Sequence, residues 1–98
     1  MSANQIILEA IAHKKCITVT YNRVEMLLAP HILYAKNDVY YLDAVALERS
    51  AATVREKKIG SYHLSGLSNV TLADRYFQPE SLFDPASEKY AGVTLFAI

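Results

Sequence analysis

The chain has 98 residues, 52% of them hydrophobic, and its ten lysines and arginines balance ten aspartates and glutamates. This length fits one domain with one core, and the apolar content argues against a disordered chain. The zero net charge argues against strong non-specific nucleic-acid binding, which needs clustered cations to neutralise phosphates.

The first residues predict a helix. Ser2 with Gln5 three positions later fits a capping box, in which each side chain bonds to a free backbone N–H of the first turn. Ile7, Ala10 and Ile11 then share one face at helical spacing. We expect this face to be buried against the rest of the domain.

Alternating apolar and polar residues then predict short strands. Residues 17–21 have the β-branched and aromatic character of a half-buried strand, and residues 24–29 resume a strand after a short turn. Pro30 cannot donate to a ladder, so it marks an edge, a bend or a bulge before residues 31–35 continue extended. A polar turn at residues 36–38 leads into the longest apolar strand, residues 39–47.

The next part of the chain predicts a curled sheet. Residues 53–59 mix charges at strand spacing, Gly60 and Gly66 suit bulges or corners, and residues 67–72 form a last barrel strand. We predict a mainly β fold with an N-terminal helix, built as a small, strongly bent barrel. It is one domain, residues 1–98, with its core at about residues 16–79.

A C-terminal extension, residues 80–98, follows the predicted barrel. Asp84 before Pro85 fits a helix start, so residues 85–90 are expected to form a helical turn. The final apolar segment, residues 93–98, would be an aggregation hazard if left exposed. It is therefore expected to pair either with its own sheet or with a partner subunit.

The longest strand has two faces, because strand side chains alternate in direction. Asp43 lies in the second row, which suggests that this row meets water or polar partners in part. The first row comprises Tyr40, Leu42, Ala44 and Ala46, and the second Val39, Tyr41, Asp43, Val45 and Leu47.

The order of these elements resembles the WYL-domain family, small SH3/Sm-like barrels of bacterial regulators named for a Trp-Tyr-Leu motif. "ITVTY" looks like the family's first strand, "APHIL" its proline-led second strand, and "NDVYYLDAV" its motif strand, with Tyr40 in place of tryptophan. "SYHLSGLSNVTLADRYFQP" is similar to the family's later strand. The resemblance covers roughly residues 5–79.

The resemblance implies ligand sensing in transcriptional or enzyme regulation, with nucleotides, nucleic-acid fragments or other anions as ligands. Tyr21 matches the first-strand tyrosine of the family pocket, His31 follows the matching proline, Tyr41 holds the central motif position, and His63 stands where a basic residue is common. His31 and Tyr41 could instead serve packing; for Tyr41 the alternative is a partly exposed ring with a solvated hydroxyl.

Two further cations are candidates for the rim of this pocket. Arg55 and Lys57 share one face of the predicted strand 53–59, about 7 Å apart, and so could bracket a phosphate. The alternative is a solvated strand edge that discourages unwanted pairing. The complete set of candidate ligand-binding residues is Tyr21, His31, Tyr41, His63, Arg55 and Lys57.

Some positions depart from the family pattern. Ser65 and Gly66 replace the usual Asp-Arg pair, and arginine is the side chain best suited to bidentate phosphate recognition. The family's helix-turn-helix is absent from these residues, so we expect a stand-alone regulatory domain that acts on a separate protein partner. The alternative function is a homodimeric assembly module, paired through residues 93–98, that has lost ligand binding.

Enzymatic chemistry is not indicated. The three histidines lack metal-ligand spacing, no nucleophile elbow or paired carboxylates are visible, and no cofactor is implied. The single cysteine, Cys16, suits a reducing compartment and a role as an apolar filler rather than a reactive thiol. Without a signal peptide or an apolar run of about 18 residues, a cytoplasmic protein with no membrane contact is expected.

Overall fold

The computed structural model describes residues 3–84, 86–90 and 94–98. It contains one α-helix, seven β-strands and two 3₁₀ turns. In chain order these are α1 Ala3–His13, β1 Lys15–Tyr21, β2 Val24–Lys36, β3 Val39–Arg49, β4 Ala52–Thr53, β5 Ile59–His63, a 3₁₀ turn Leu64–Gly66, β6 Leu67–Tyr76, a second 3₁₀ turn Glu88–Tyr90, and β7 Thr94–Ala97.

The predicted fold class is confirmed. The strands form one strongly curled sheet in the order β4-β3-β2-β1-β6, with β5 pairing with β3 and β7 with β2. Every pairing is antiparallel. The sheet curls like part of a barrel, so it has an inner face and an outer face, and each needs a cover.

Helix α1 covers the inner face. Its buried stripe is the predicted one, Ile7, Ala10 and Ile11. These side chains belong to one cluster with the first row of β3, of which Leu42, Ala44 and Ala46 are buried. Ser2 of the predicted capping box lies outside the described residues.

The outer face is covered by the chain that follows β6. We call its described residues, 78–84, 86–90 and 94–98, the C-terminal segment. Val45 and Leu47, from the second row of β3, pack with Phe77 at the start of this cover. Further along, Tyr34 and Tyr90 form a second cluster. The two predicted rows of β3 therefore do face opposite sides, as strand alternation requires.

Strand β7 joins the chain's own sheet. Its residues lie antiparallel to β2, with Leu33 opposite Phe96 and Tyr34 opposite Thr94. The first of the two predicted ways of pairing the apolar C-terminus is thus the one observed. Among the described residues, no helix combines the length and apolar character that crossing a membrane requires.

Two local features of the sheet differ in how far the sequence anticipated them. The β2–β3 register shifts between Pro30 and Ile32, so of the edge, bend or bulge predicted at the proline, the structure has a bulge. The predicted strand over residues 53–59 is wrong: only Ala52–Thr53 and Ile59–His63 are strands, and residues 54–58 form a loop. The charges of residues 54–58 alternate as they would in a strand. A strand also needs a neighbouring strand to pair with, and alternation alone does not provide one.

Three hairpins turn through two residues that both have positive φ. The pairs are Asn22-Arg23, Asn37-Asp38 and Ser50-Ala51, with φ between 50° and 64°. Such turns match the twist of antiparallel strands, but they suit glycine, asparagine and aspartate best. Ala51, with φ of 64°, has neither a missing Cβ nor a polar side chain to offset the strain.

We therefore expect Ala51→Gly to raise the free energy of unfolding by about 1 kcal/mol. In thermal denaturation this corresponds to an increase of about 4–8 °C for a domain of this size. The matched control is Ala52→Gly, which places glycine in strand β4 and should lower stability by about 0.5–1 kcal/mol. Equal effects of the two substitutions would contradict a strained turn at Ser50-Ala51.

Candidate functional site

The six predicted ligand-binding residues do not surround one pocket. The rings of Tyr41 and His63 are in contact on the outer face, with centroids 4.6 Å apart. Tyr21 packs with the inner-face cluster instead. His31 is fully buried.

The two rim candidates lie in the loop of residues 54–58. Lys57 forms an ion pair with Glu80 of the C-terminal segment, at 3.0 Å. Arg55 is exposed in the same loop. Because this loop is not a strand, the spacing argument that placed the two cations 7 Å apart on one face does not apply.

His31 is held in one neutral form by its hydrogen bonds. Its Nδ1 lies 2.7 Å from the carbonyl oxygen of Ala29, which can only accept, so Nδ1 carries the proton. Its Nε2 then accepts the backbone N–H of Glu80 at 3.0 Å. Burial lowers the pKa of His31, against smaller raising effects of the Ala29 carbonyl and the Glu80 charge.

Asp43 is the other fully buried polar side chain of the described chain. Its Oδ1 accepts the Tyr34 hydroxyl at 3.0 Å, and its Oδ2 accepts the Tyr90 hydroxyl at 2.5 Å and the Lys89 ammonium at 2.8 Å. Two of these three donors come from the C-terminal segment. The sequence placed Asp43 correctly in the second row of β3 but gave no sign of partners 46 and 47 residues away.

Lys89 also donates to the hydroxyl of Ser61 at 2.6 Å. A Ser–Lys pair can act as nucleophile and base only if the lysine is neutral. Burial lowers the pKa of Lys89, but the bond to Asp43 and its negative charge outweigh this and leave the pKa raised. The ammonium therefore stays charged, and the pair is suited to holding structure or binding a polar group rather than to nucleophilic catalysis.

A different group of residues forms a pocket near the inner face. Tyr21 and Tyr62 meet edge to face, with ring centroids 5.1 Å apart. Burial raises the pKa of Tyr62, and the nearby positive charge of Arg49 opposes that rise. We call Tyr21, Tyr62 and Arg49, with the space between them, the tyrosine–arginine pocket.

Glycines provide the room for both rings. A Cβ at position 66 would lie 3.0 Å from the Tyr21 ring, and a Cβ at position 60 would lie 3.1 Å from the Tyr62 hydroxyl oxygen. Both distances are shorter than ordinary van der Waals contacts, so any side chain there would press on a tyrosine. The sequence read these glycines as breaks in strands; Gly60 instead lies within β5, opposite Ala44.

Two adjoining cavities meet at this pocket, and both are lined by Arg49 and Tyr62. One, of about 320 Å³, also contacts Val54, Glu56 and Lys58. The other, of about 260 Å³, also contacts Tyr21, Val24 and Met26. Aromatic and aliphatic walls stand here beside two cations, Arg49 and Lys58, and one carboxylate, Glu56. The excess of one positive charge and the flat rings suit a flat, negatively charged molecule.

A wider, open cleft of about 770 Å³ lies over β1 and β6. Hydroxyl side chains of Thr18, Thr20 and Thr71 line it, together with Arg23 and Glu25. Its charges oppose each other and it has no aromatic wall. It therefore shows less preference for a particular ligand than the tyrosine–arginine pocket does.

Fold and site together define a small curled β-barrel domain whose outer face is closed by its own C-terminal segment and whose inner face carries a compact aromatic–cationic pocket. Comparisons with family models, curated proteins and solved structures returned no match.

Proposed function

We propose that this chain is a non-enzymatic regulatory domain of the WYL type that binds a small anionic or nucleotide-like ligand in the tyrosine–arginine pocket. The observation that supports this most is the convergence of Tyr21, Tyr62 and Arg49 on two adjoining cavities. The motif order in residues 5–79 and the curled barrel agree with that family. The proposal keeps Tyr21 from the predicted set and adds two residues that sequence reasoning missed.

Charge at the pocket favours an anion. Arg49 and Lys58 both line it, and neither is in an ion pair with any of the described residues. Glu56 is the one acidic side chain among the residues that line the two cavities. A guanidinium without a carboxylate partner can bind a phosphate or carboxylate through two parallel hydrogen bonds.

Arg49 could supply the guanidinium that the family usually carries at the position of Gly66. Glycine at 66 admits the Tyr21 ring, which an arginine Cβ would press upon. In this chain the guanidinium would therefore approach the ligand from the end of β3 rather than from the later strand. An aromatic base stacked on Tyr21 or Tyr62 would add about 1–3 kcal/mol of binding energy.

A thermal-shift screen of nucleotides, short oligonucleotides and aromatic carboxylates tests this proposal. We expect at least one anionic compound to raise the melting temperature, and Arg49→Met to weaken its binding by about 10–100-fold, the usual loss for a charged hydrogen-bonding partner. The matched control is Arg75→Met, an exposed arginine paired with Glu48 on the sheet surface, which should bind as wild type does.

Two results would contradict the proposal. One is a screen in which no anion changes the melting temperature. The other is a ligand that binds Arg49→Met as tightly as wild type. The alternative function, a homodimer through residues 93–98, stays a prediction: light scattering of the full chain would measure it, and β7 already uses one edge to pair with β2.

A further inference from the structure

The two fully buried polar side chains of the described chain share one property: both are hydrogen-bonded by the C-terminal segment. His31 accepts from the backbone of Glu80, and Asp43 accepts from Lys89 and Tyr90. We propose that the C-terminal segment is a latch over the outer face, and that protonation of His31 opens it. This inference does not depend on the proposed ligand.

The geometry of His31 makes it sensitive to protonation. Because Nδ1–H is already committed to the Ala29 carbonyl, a second proton must go to Nε2. That nitrogen is the acceptor for the Glu80 N–H at 3.0 Å. Protonation would set two N–H groups against each other, so the bond that holds the start of the latch would become a repulsive contact.

The surroundings of His31 do little to stabilise an imidazolium. The rings of Phe77 and Phe83 lie 5.1 Å and 5.2 Å from it. Glu80 is the facing carboxylate from the latch, and it is already paired with Lys57 of the loop 54–58.

The neighbouring strands add little more charge near His31. Strand β3 contributes Asp43, which is neutralised by Lys89, and β7 carries no charged side chain. A proton on His31 is therefore largely uncompensated while the latch is closed.

The far end of the latch has a different chemistry. Lys89 pairs there with Asp43. Burial lowers the pKa of Lys89, but the hydrogen bond to Asp43 and the Asp43 charge leave that pKa raised. The hydroxyls of Tyr34 and Tyr90 also have raised pKa values, chiefly because they are buried. These three donors keep their protons in mildly acidic solution, whereas the imidazole of His31 gains one as the pH falls.

The sign of the pH effect follows from linkage. The latch-open state leaves His31 near its ordinary pKa of about 6.5, whereas the closed state lowers it. The free energy that favours the closed latch is therefore greatest above about pH 6.5, and it decreases as the pH falls towards the lowered pKa of His31. In that window the open population rises about tenfold for each pH unit, or up to about 30-fold at pH 5.0.

Opening would uncover the outer face beside Asp43 and the edge of β2 at Ile32 and Tyr34. All three side chains are buried in the closed state. Of the residues in the inner-face cluster under helix α1, only Ile98 at its margin belongs to the latch, so opening leaves the rest of that cluster in place. The barrel should thus remain folded while the latch is released.

Hydrogen–deuterium exchange of the full chain at pH 7.5 and 5.0, corrected for intrinsic exchange rates, measures this. We expect exchange of the latch residues 78–84, 86–90 and 94–98 to become up to about 30-fold faster at pH 5.0, with β1 and β3 unchanged. His31→Gln can neither gain a proton nor lose its acceptor oxygen, so the pH dependence of exchange should vanish in it. His13→Gln, at the exposed end of α1, should behave as wild type.

Three results would overturn the proposal. The wild-type latch could exchange equally at both pH values. The pH dependence could persist in His31→Gln. Alternatively, β1 and β3 could lose protection together with the latch, which would show global unfolding instead of a local opening.

Discussion

Asp43→Asn is expected to lower the free energy of unfolding by about 3 kcal/mol and the melting temperature by about 15 °C. The carboxylate is completely buried and accepts three hydrogen bonds. Asparagine keeps the shape but offers one acceptor oxygen and directs an N–H₂ group at donors. Two hydroxyls would then compete for one oxygen, and the Lys89 ammonium would lose its counter-charge.

The estimate lies at the lower end of the range for a broken buried ion pair because the Lys89 side chain is 45% exposed. Water can solvate the ammonium once Asp43 is neutral, and this limits the loss. The buried hydroxyls of Tyr34 and Tyr90 have less access to water, so they account for much of the effect.

The control for this substitution is Asp38→Asn, at an exposed turn where asparagine accepts a positive φ as readily as aspartate does. Its stability should stay within about 0.5 kcal/mol of wild type. A double-mutant cycle with Lys89→Met isolates the pairwise coupling, expected at about 1–3 kcal/mol. An Asp43→Asn melting temperature within 3 °C of wild type would argue, by the scale of about 4–8 °C per kcal/mol, against the network described here.

A second large effect is expected for Leu28→Asp, which should cost about 5 kcal/mol or more. Leu28 is completely buried, pairs with Ile17 of β1 and Ala46 of β3, and belongs to the cluster beneath helix α1. An aspartate there would be an unpaired charge in an apolar interior. Since a domain's whole stability is about 5–15 kcal/mol, we expect little folded protein at 25 °C.

The loss of stability caused by a leucine-to-aspartate substitution should decrease as the exposure of the leucine increases. Leu64→Asp changes a half-buried residue at the edge of that cluster and should cost about 1–2 kcal/mol. Leu82→Asp changes a side chain that is 49% exposed and should have almost no effect. Urea unfolding followed by circular dichroism measures the three; an unchanged midpoint for Leu28→Asp would refute the core assignment.

Local patterns in the sequence were sufficient for much of the barrel. The stripe of Ile7, Ala10 and Ile11 and the two rows of β3 follow directly from the periods of helix and strand. Pro30 indicated an edge, a bend or a bulge because it lacks a donor, and the structure has a bulge there. The polar turn after Lys36 is a hairpin, as predicted. The same reasoning failed for residues 54–58, where alternating charges coincide with a loop.

The candidate site depended much more on contacts between distant parts of the chain. The resemblance to the WYL family assigned Tyr21 and His31 to one pocket. In the structure Tyr21 packs beside Tyr62 on the inner face, and His31 is buried under Glu80. Arg49 gave no local signal at all. Its proposed role rests on the cavities that β3, β5 and the first hairpin form around it.

The sequence by itself determined the class of fold, the rows of each long strand and the need to pair an apolar C-terminus, since these follow from side-chain period and solvent exposure. Only the tertiary structure decided that the C-terminal segment covers the outer face and supplies the hydrogen bonds of His31 and Asp43. Pairing of that kind depends on which distant backbone and side-chain groups meet after the sheet has curled, and no local periodicity records it.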